Sequence, residues 1–255
     1  MDPRHEKKDI WRFEYKYHLS LPRYHQFRSA LIPYVELDDH CRHKPDHAYL
    51  VRSLYFDSFH YKAYYEKMEG TYGRTKYRLR TYSATPGAKP DIRVELKLRK
   101  GSALEKYSTF ASYHHYRQFM KYRHWCDEDA PVLIEFQRQV HLHALRPKVL
   151  VQYYREGFRA KETGELRITF DRQVSSCRSD TLFPTAPFFR QHHPHTVVLE
   201  IKCRTRRPAW LSRLISRYEL RYIANSKYTQ GVEAARPELI SPYLSSHLQT
   251  QGPLV

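Results

Sequence analysis

Along most of this chain, apolar and polar residues alternate with a period of two, the spacing that sends successive side chains to opposite faces of a β-strand. Between Gly73 and Tyr82, the cations Arg74, Lys76, Arg78 and Arg80 take every second position, with Thr75, Tyr77, Leu79 and Thr81 between them. Residues 91–100 repeat the pattern, with Arg93, Glu95, Lys97 and Arg99 opposite Ile92, Val94, Leu96 and Leu98. Residues 11–18 place Arg12, Glu14, Lys16 and His18 opposite Trp11, Phe13, Tyr15 and Tyr17, and residues 196–204 place Glu200, Lys202 and Arg204 opposite Val197, Leu199 and Ile201. Residues 48–57, 104–110, 147–159 and 166–174 also read as strands. Helices are predicted at 21–34, where Pro22 sits in the first turn, at 112–125 and 131–145, from Pro208, and after Ser226. Residues 59–69 read as helical or irregular and end at Gly70. Neither a repeat of solenoid length nor a low-complexity linker divides the chain, so residues 1–235 are expected to form one domain and 236–255 a polar tail.

Charge sharpens this picture. The 255 residues carry 44 Lys and Arg against 27 Asp and Glu, a formal charge of +17. Such a field favours polyanionic partners. Aromatic residues make up 15% of the chain, 22 of them Tyr, a content that excludes a disordered basic tail. Four like charges on one strand face repel one another unless an anion neutralises them. Several strands share the same division, apolar on one face and mostly cationic on the other, with Glu-x-Lys recurring at Glu14/Lys16, Glu95/Lys97 and Glu200/Lys202. Arg155 and Arg167 intrude into otherwise apolar or uncharged phases. These features predict an α+β fold: a closed antiparallel β-barrel with a charged interior and helices packed outside. A barrel removes sheet edges, and its lumen shields the cations from bulk water, which strengthens their attraction for an anion.

The ordered set Glu14-Tyr-Lys16, Ser53-Leu-Tyr-Phe-Asp57, Arg78-Leu-Arg80, Val94-Glu-Leu-Lys97, Tyr154-Arg155, Arg167-Ile-Thr-Phe-Asp171, Leu199-Glu-Ile-Lys202 and Ser226-Lys-Tyr228 resembles the vacuolar transporter chaperone (VTC) catalytic domain, a branch of the triphosphate tunnel metalloenzymes. The resemblance implies a barrel whose tunnel binds triphosphate or polyphosphate with a divalent metal, Mn²⁺ or Mg²⁺. It implies that Lys16, Arg78, Arg80, Lys97, Arg155, Arg167, Lys202 and Lys227 line the tunnel and act on phosphates, joined by Lys67, Lys76 and Ser226. Glu200 is then the principal metal ligand, with Glu14 beside it. Where many tunnel enzymes begin Glu-x-Glu-x-Lys, this chain has Arg12, one carboxylate fewer for a second metal.

Three functions are compatible with these residues. A polyphosphate polymerase passes the γ-phosphate of ATP to a growing chain, needs no side-chain nucleophile, and suits a sequence without G-x-S-x-G or a P-loop. A tripolyphosphatase puts water in place of the acceptor and needs a base such as Glu14 or Glu95. A non-catalytic polyanion-binding module is the third; nucleic acid is disfavoured because the cations follow strand period with acids among them. The widely spaced Cys41, Cys126, Cys177 and Cys203, a charged N-terminus and the lack of a run of ~20 apolar residues predict a reduced, soluble cytoplasmic protein. Any coupling to a membrane then needs a membrane-protein partner. His192-His-Pro-His195 lacks cysteines at zinc-ligand spacing and reads as a solvated loop.

Overall fold

A computed structural model describes residues 13–86, 92–101, 103–126, 129–162 and 166–239. Trp11, Arg12 and most of the expected tail lie outside the described residues. The alternating segments become strands, all but one within a residue or two of their expected bounds: β1 (Phe13–Ser20), β3 (Tyr49–Asp57), β4 (Gly73–Thr81), β5 (Ile92–Lys100), β6 (Ala103–Ala111), β7 (Arg146–Ala160), β8 (Leu166–Arg178), which runs four residues past its expected end, and β10 (Thr196–Cys203). Two short strands were not expected, β2 (Val35–Leu37) on β7 and β9 (Arg190–Gln191) on β8. They complete one ten-stranded sheet whose main path runs β1-β10-β8-β7-β3-β4-β5-β6. Every ladder in it is antiparallel.

The expected closed barrel does not form. No ladder joins β1 to β6 among the described residues, so the sheet is a strongly curled open one with two edges. The free edge of β1 is met by an irregular segment instead: the Ile223 amide donates to the Lys16 carbonyl at 2.9 Å. A non-strand segment thus stands beside β1 where a closing ladder needs a strand. The curl still brings the ends of the sheet near each other, since Lys97 Nζ on β5 lies 3.9 Å from a Glu14 carboxylate oxygen on β1.

The convex face is apolar and covered. The helices α1 (Leu21–Leu31) and α6 (Ala209–Arg217) pack Phe27, Leu31, Leu211 and Ile215 on Leu19, Ile168, Phe170 and Leu199. Farther along, α4 (Tyr113–Tyr122) and α5 (Pro131–Leu142) pack Phe119, Leu133 and Phe136 on Phe56, Leu79, Val94 and Leu150. Ser20 and Ser112 cap α1 and α4 through their hydroxyls, as the sequence position of each suggests.

One helix departs from the expected outer layer. Tyr228 and Val232 of α7 (Lys227–Ala235) pack on Val51, Tyr55, Val149, Val151 and Tyr153. Those residues share the phase of the charged inner positions, so α7 sits inside the curl. Gly231 makes the close approach possible, because a Cβ there would stand 2.9 Å from both Ser176 Oγ and Val151 Cγ2. Tyr64 and Tyr61, flanking or within α3 (Lys62–Met68), pack against the same helix. Within the Tyr-rich run at 61–72, Tyr61 and Tyr64 are therefore packing residues, whereas Tyr65 and Tyr72 are exposed.

Candidate polyphosphate site

Strand register decides which cations meet. Lys76 faces Lys97, Arg78 faces Glu95 and Arg80 faces Arg93 across β4 and β5. Lys97 in turn faces Lys106 on β6. On the opposite wall Glu14 faces Lys202 and Lys16 faces Glu200 across β1 and β10. Together these side chains bound a cavity of about 1320 Å³, lined among the described residues by sixteen Lys and Arg residues and two glutamates, Glu14 and Glu200. All thirteen residues that the sequence nominated line it: Lys16, Lys67, Lys76, Arg78, Arg80, Lys97, Arg155, Arg167, Lys202, Ser226, Lys227, Glu14 and Glu200. Arg74, Arg93, Arg99 and Lys106 join them. Lys106 was missed because 104–110 showed no charge ladder of its own; its place opposite Lys97 was the available signal.

Two buried carboxylates beneath this surface organise the arginines. Glu95 accepts from Arg78 Nε at 2.6 Å, lies 2.9 Å from Lys106 Nζ and 3.6 Å from Arg80 Nε. Asp171 binds Arg155 in a two-point contact at 2.7 and 2.9 Å and Lys227 at 2.6 Å. Burial alone would raise both carboxyls, but Arg78, Arg80 and Lys106 hold Glu95 well below its ordinary value, and Arg155 and Lys227 hold Asp171 down. Each is a fixed anion serving several cations, which aims the guanidiniums and leaves their outer N–H groups toward the cavity. Glu95 is thereby a poor base for water, contrary to one reading of the sequence.

The N-terminal end of α7 projects into the same space. Lys76 Nζ donates to Ser226 Oγ at 2.8 Å, and Lys16 Nζ donates to the Asn225 carbonyl at 3.2 Å. Lys67 comes from α3, where burial together with Arg74, Arg99 and Lys16 depresses its ammonium. Burial, with Lys97, Lys16, Lys67 and Arg78 around it, brings Lys76 down to about 7. Lys97 falls to about 8 through burial and the cations Lys16 and Lys202, against the pull of Glu14. Lys16 goes the other way: burial opposes its charge, but Glu200 and Glu14 more than restore it. Several depressed lysines in one cavity mean that its positive charge exceeds what the fold neutralises.

The carboxylates bear on metal binding. Burial raises Glu200, yet Lys202, Lys16, Arg155 and Lys227 keep it well below its ordinary value. Glu14 is raised by burial and by Glu200 and lowered further by Lys16, Lys97 and Lys202. Both are ionised oxygen donors close enough to repel, which is the chemistry a hard divalent ion accepts. Among the described residues no three His, Cys, Asp or Glu gather as a metal cage. The donor set therefore fits an ion held by one or two carboxylates and completed by phosphate oxygens. His192 does not line the cavity. His192 bonds Ser176 Oγ, its amide donates to the Val174 carbonyl at 2.9 Å, and burial first brings its imidazole down to about 4. His192 itself is half-buried, while His193 and His195 are exposed in the loop expected.

The cavity thus combines a surplus of cations with two ionised carboxylates. The VTC domain family matches residues 11–236, and the chain belongs to that family. No curated protein matches the chain. Among solved structures it is similar to a Bacillus halodurans protein described as a "putative adenylate cyclase", with a TM-score of 0.54 and 11% identity over 87% of this chain and 96% of that one. At that identity the likeness shows a shared fold. A protein of Pyrococcus horikoshii OT3 is similar at a TM-score of 0.45 and 9% identity, over 87% of this chain and 99% of that one. No described helix is long and apolar enough to cross a membrane.

Proposed function

We propose that this chain is a metal-dependent polyphosphate polymerase that adds the γ-phosphate of ATP to a growing polyphosphate chain. The observation that carries this reading is the cavity itself, in which sixteen cations face two glutamates. A space so charged suits a ligand with many negative charges in a row. The strand rise of ~3.3 Å per residue spreads the ladder Arg74 to Arg80 over roughly 20 Å, longer than a single phosphate needs.

In this scheme a terminal oxygen of the acceptor polyphosphate attacks the γ-phosphorus of ATP. The bond from that phosphorus to the β–γ bridging oxygen breaks, ADP leaves and the acceptor is longer by one phosphate. Arg78 and Arg80, aimed by Glu95, and Arg155, aimed by Asp171, hold the equatorial oxygens and spread the developing charge. Lys227 and Ser226 approach from α7, and Lys16, Lys97, Arg167 and Lys202 orient the neighbouring phosphates. Glu14 and Glu200 would hold Mn²⁺ or Mg²⁺, which supplies neutralisation of phosphate charge and orients the donor. A hydrolase of the same fold needs a base free to take a proton from water. Lysines or arginines at close range lower the proton affinity of both candidates, Glu14 and Glu95, which makes each a weak base for water.

Purified protein incubated with ATP and Mn²⁺ or Mg²⁺, then resolved on a gel that separates polyphosphate lengths, tests the reading. A ladder of long chains, absent from Glu200→Ala, is the expected outcome. Phosphate release without a ladder would assign hydrolysis instead, and tight polyphosphate binding with neither product would leave a binding module.

A further inference from the structure

Glu95 and Asp171 aim Arg78, Arg80 and Arg155, but Arg167 pairs with neither of them. In the strand register it faces Lys202 on β10 and Arg159 on β7. A guanidinium with a cation on each side needs an anion of its own to hold one orientation. That anion comes from outside the main path of the sheet. Asp38 lies between β2 and α2 (Asp39–Arg42), and its Oδ2 accepts from Arg167 Nη2 at 3.1 Å. Asp38 is 1% exposed, whereas Arg167 lines the cavity and keeps part of its side chain open.

Burying a carboxylate is costly unless it is paired and hydrogen-bonded, and the chain around Asp38 holds it at several points. Its Oδ1 accepts from the Cys41 amide at 3.2 Å, which caps α2, and its own amide donates to the Gly157 carbonyl at 2.9 Å. The Gly157 amide in turn donates to Cys41 Sγ at 3.2 Å. Gly157 makes room for the carboxylate: a Cβ there would collide with Asp38 Oδ2 and stand 2.9 Å from its Cγ, although the Gly157 backbone is one that other residues adopt. A helix cap uses one oxygen; the second is directed at Arg167. We infer that Asp38 is a positioning residue for phosphate binding. It fixes the Arg167 guanidinium so that the part lining the cavity meets the phosphate chain in one orientation, as Glu95 does for Arg78 and Asp171 for Arg155. It does not touch the ligand. The same segment brings His40 and Lys44 to the cavity lining, so Asp38 also ties that rim to the wall that carries Arg167. This rests on the reading above that the cavity holds a chain of phosphates, whichever reaction follows.

A carboxylate beside a binding arginine has two opposed effects. It aims the guanidinium, and its charge cancels part of the attraction for an anion. Removing it weakens binding where aim dominates and strengthens binding where cancellation does. Titration calorimetry with inorganic tripolyphosphate on Asp38→Asn separates the two. Asn caps a helix about as well as Asp, so the variant should fold, with its thermal midpoint as the check. Its affinity should fall by about fivefold, the worth of a hydrogen bond to a charged group. Asp38→Ser, which also caps but does not reach Arg167, should lose a similar factor. In an Arg167→Ala background, Asp38→Asn should cause no further loss, because nothing is left to aim; a purely structural Asp38 would carry the same loss into that background. Arginine side-chain NMR reads the aim directly: the Arg167 guanidinium should rotate faster in Asp38→Asn than in the wild type. Unchanged or strengthened binding, equal loss in both backgrounds, or unchanged guanidinium rotation would overturn the role. A wild-type protein that binds no tripolyphosphate would overturn the phosphate reading together with it. A protein that shows the expected losses yet makes no polyphosphate ladder would lose the proposed reaction and keep Asp38 as the residue that aims Arg167.

Discussion

The two walls of the cavity face the same ligand with different chemistry. Across β4 and β5, Arg74, Lys76, Arg78, Arg80, Arg93, Lys97 and Arg99 stand with one carboxylate on the same face, the buried Glu95, which pairs with Arg78, Arg80 and Lys106. Across β1 and β10, acids and bases alternate, Glu14 opposite Lys202 and Lys16 opposite Glu200, and the ion pairs run along each strand, Glu14 with Lys16 at 2.7 Å and Glu200 with Lys202 at 3.5 Å. The first wall carries a surplus of positive charge, which suits it to anions. The second is nearly balanced, so a divalent cation can enter it without facing only like charges. In the proposed reaction, a phosphate chain between them would have its charge neutralised by protein on one side and by metal on the other. Uniformly cationic walls would repel the metal, and two balanced walls would hold the polyanion weakly.

The contrast can be broken from either side. Glu95→Ala strips the cationic wall of its anchor and leaves three buried or half-buried cations uncompensated. It should cost about 3–5 kcal/mol of stability in urea unfolding, whereas Glu14→Gln on the balanced wall, where the carboxylate is partly solvated, should cost under about 1 kcal/mol. Arg78→Ala leaves Glu95 with Arg80 and Lys106 as partners, so the fold survives. Its tripolyphosphate affinity should fall about tenfold to a hundredfold in calorimetry, the worth of a charge-assisted pair of bonds. Gly231→Ala forces a methyl against Ser176 and Val151 and tests the seat of α7; a loss of about 1–3 kcal/mol is expected in thermal melts.

The smallest effect concerns protons. Free Lys76 loses its charge as pH rises through about 7, and a bound polyanion restores it, so binding takes up a proton. Tripolyphosphate affinity should therefore decline as pH rises above 7, by up to about tenfold per pH unit. Lys76→Arg, charged throughout, should flatten that slope and separate it from titration of the ligand itself. An unchanged slope in this variant would show that Lys76 is not the group responsible.

Much of this site was legible because one wall repeats charge at strand period. Arg74 to Arg80 alternate with neutral residues, and no helix would place them on one face. The carboxylates of β1 and β10 were legible for the same reason. Closure was not, because whether β1 meets β6 depends on edges contributed by opposite ends of the chain, and Ile223, which lies on the β1 edge, belongs to neither strand. The position of α7 was equally hidden. Tyr228 and Val232 make an ordinary apolar stripe, and only the packed structure shows that it covers Val149, Val151 and Tyr153 on the inner side. The work of Asp171 also needed the fold, since its partners Arg155 and Lys227 come from β7 and α7. His192 read as a surface histidine because nothing local announces Ser176 beneath it.

The division of labour between the walls is tested most directly by titrating tripolyphosphate into the protein with and without Mn²⁺, comparing Arg78→Ala with Glu200→Gln. The account predicts that Arg78→Ala loses binding in both conditions, while Glu200→Gln binds normally without metal and loses the strengthening that Mn²⁺ gives the wild type. If Glu200→Gln weakens metal-free binding as much as Arg78→Ala does, or if Mn²⁺ strengthens both variants alike, the two walls do not divide the work in this way.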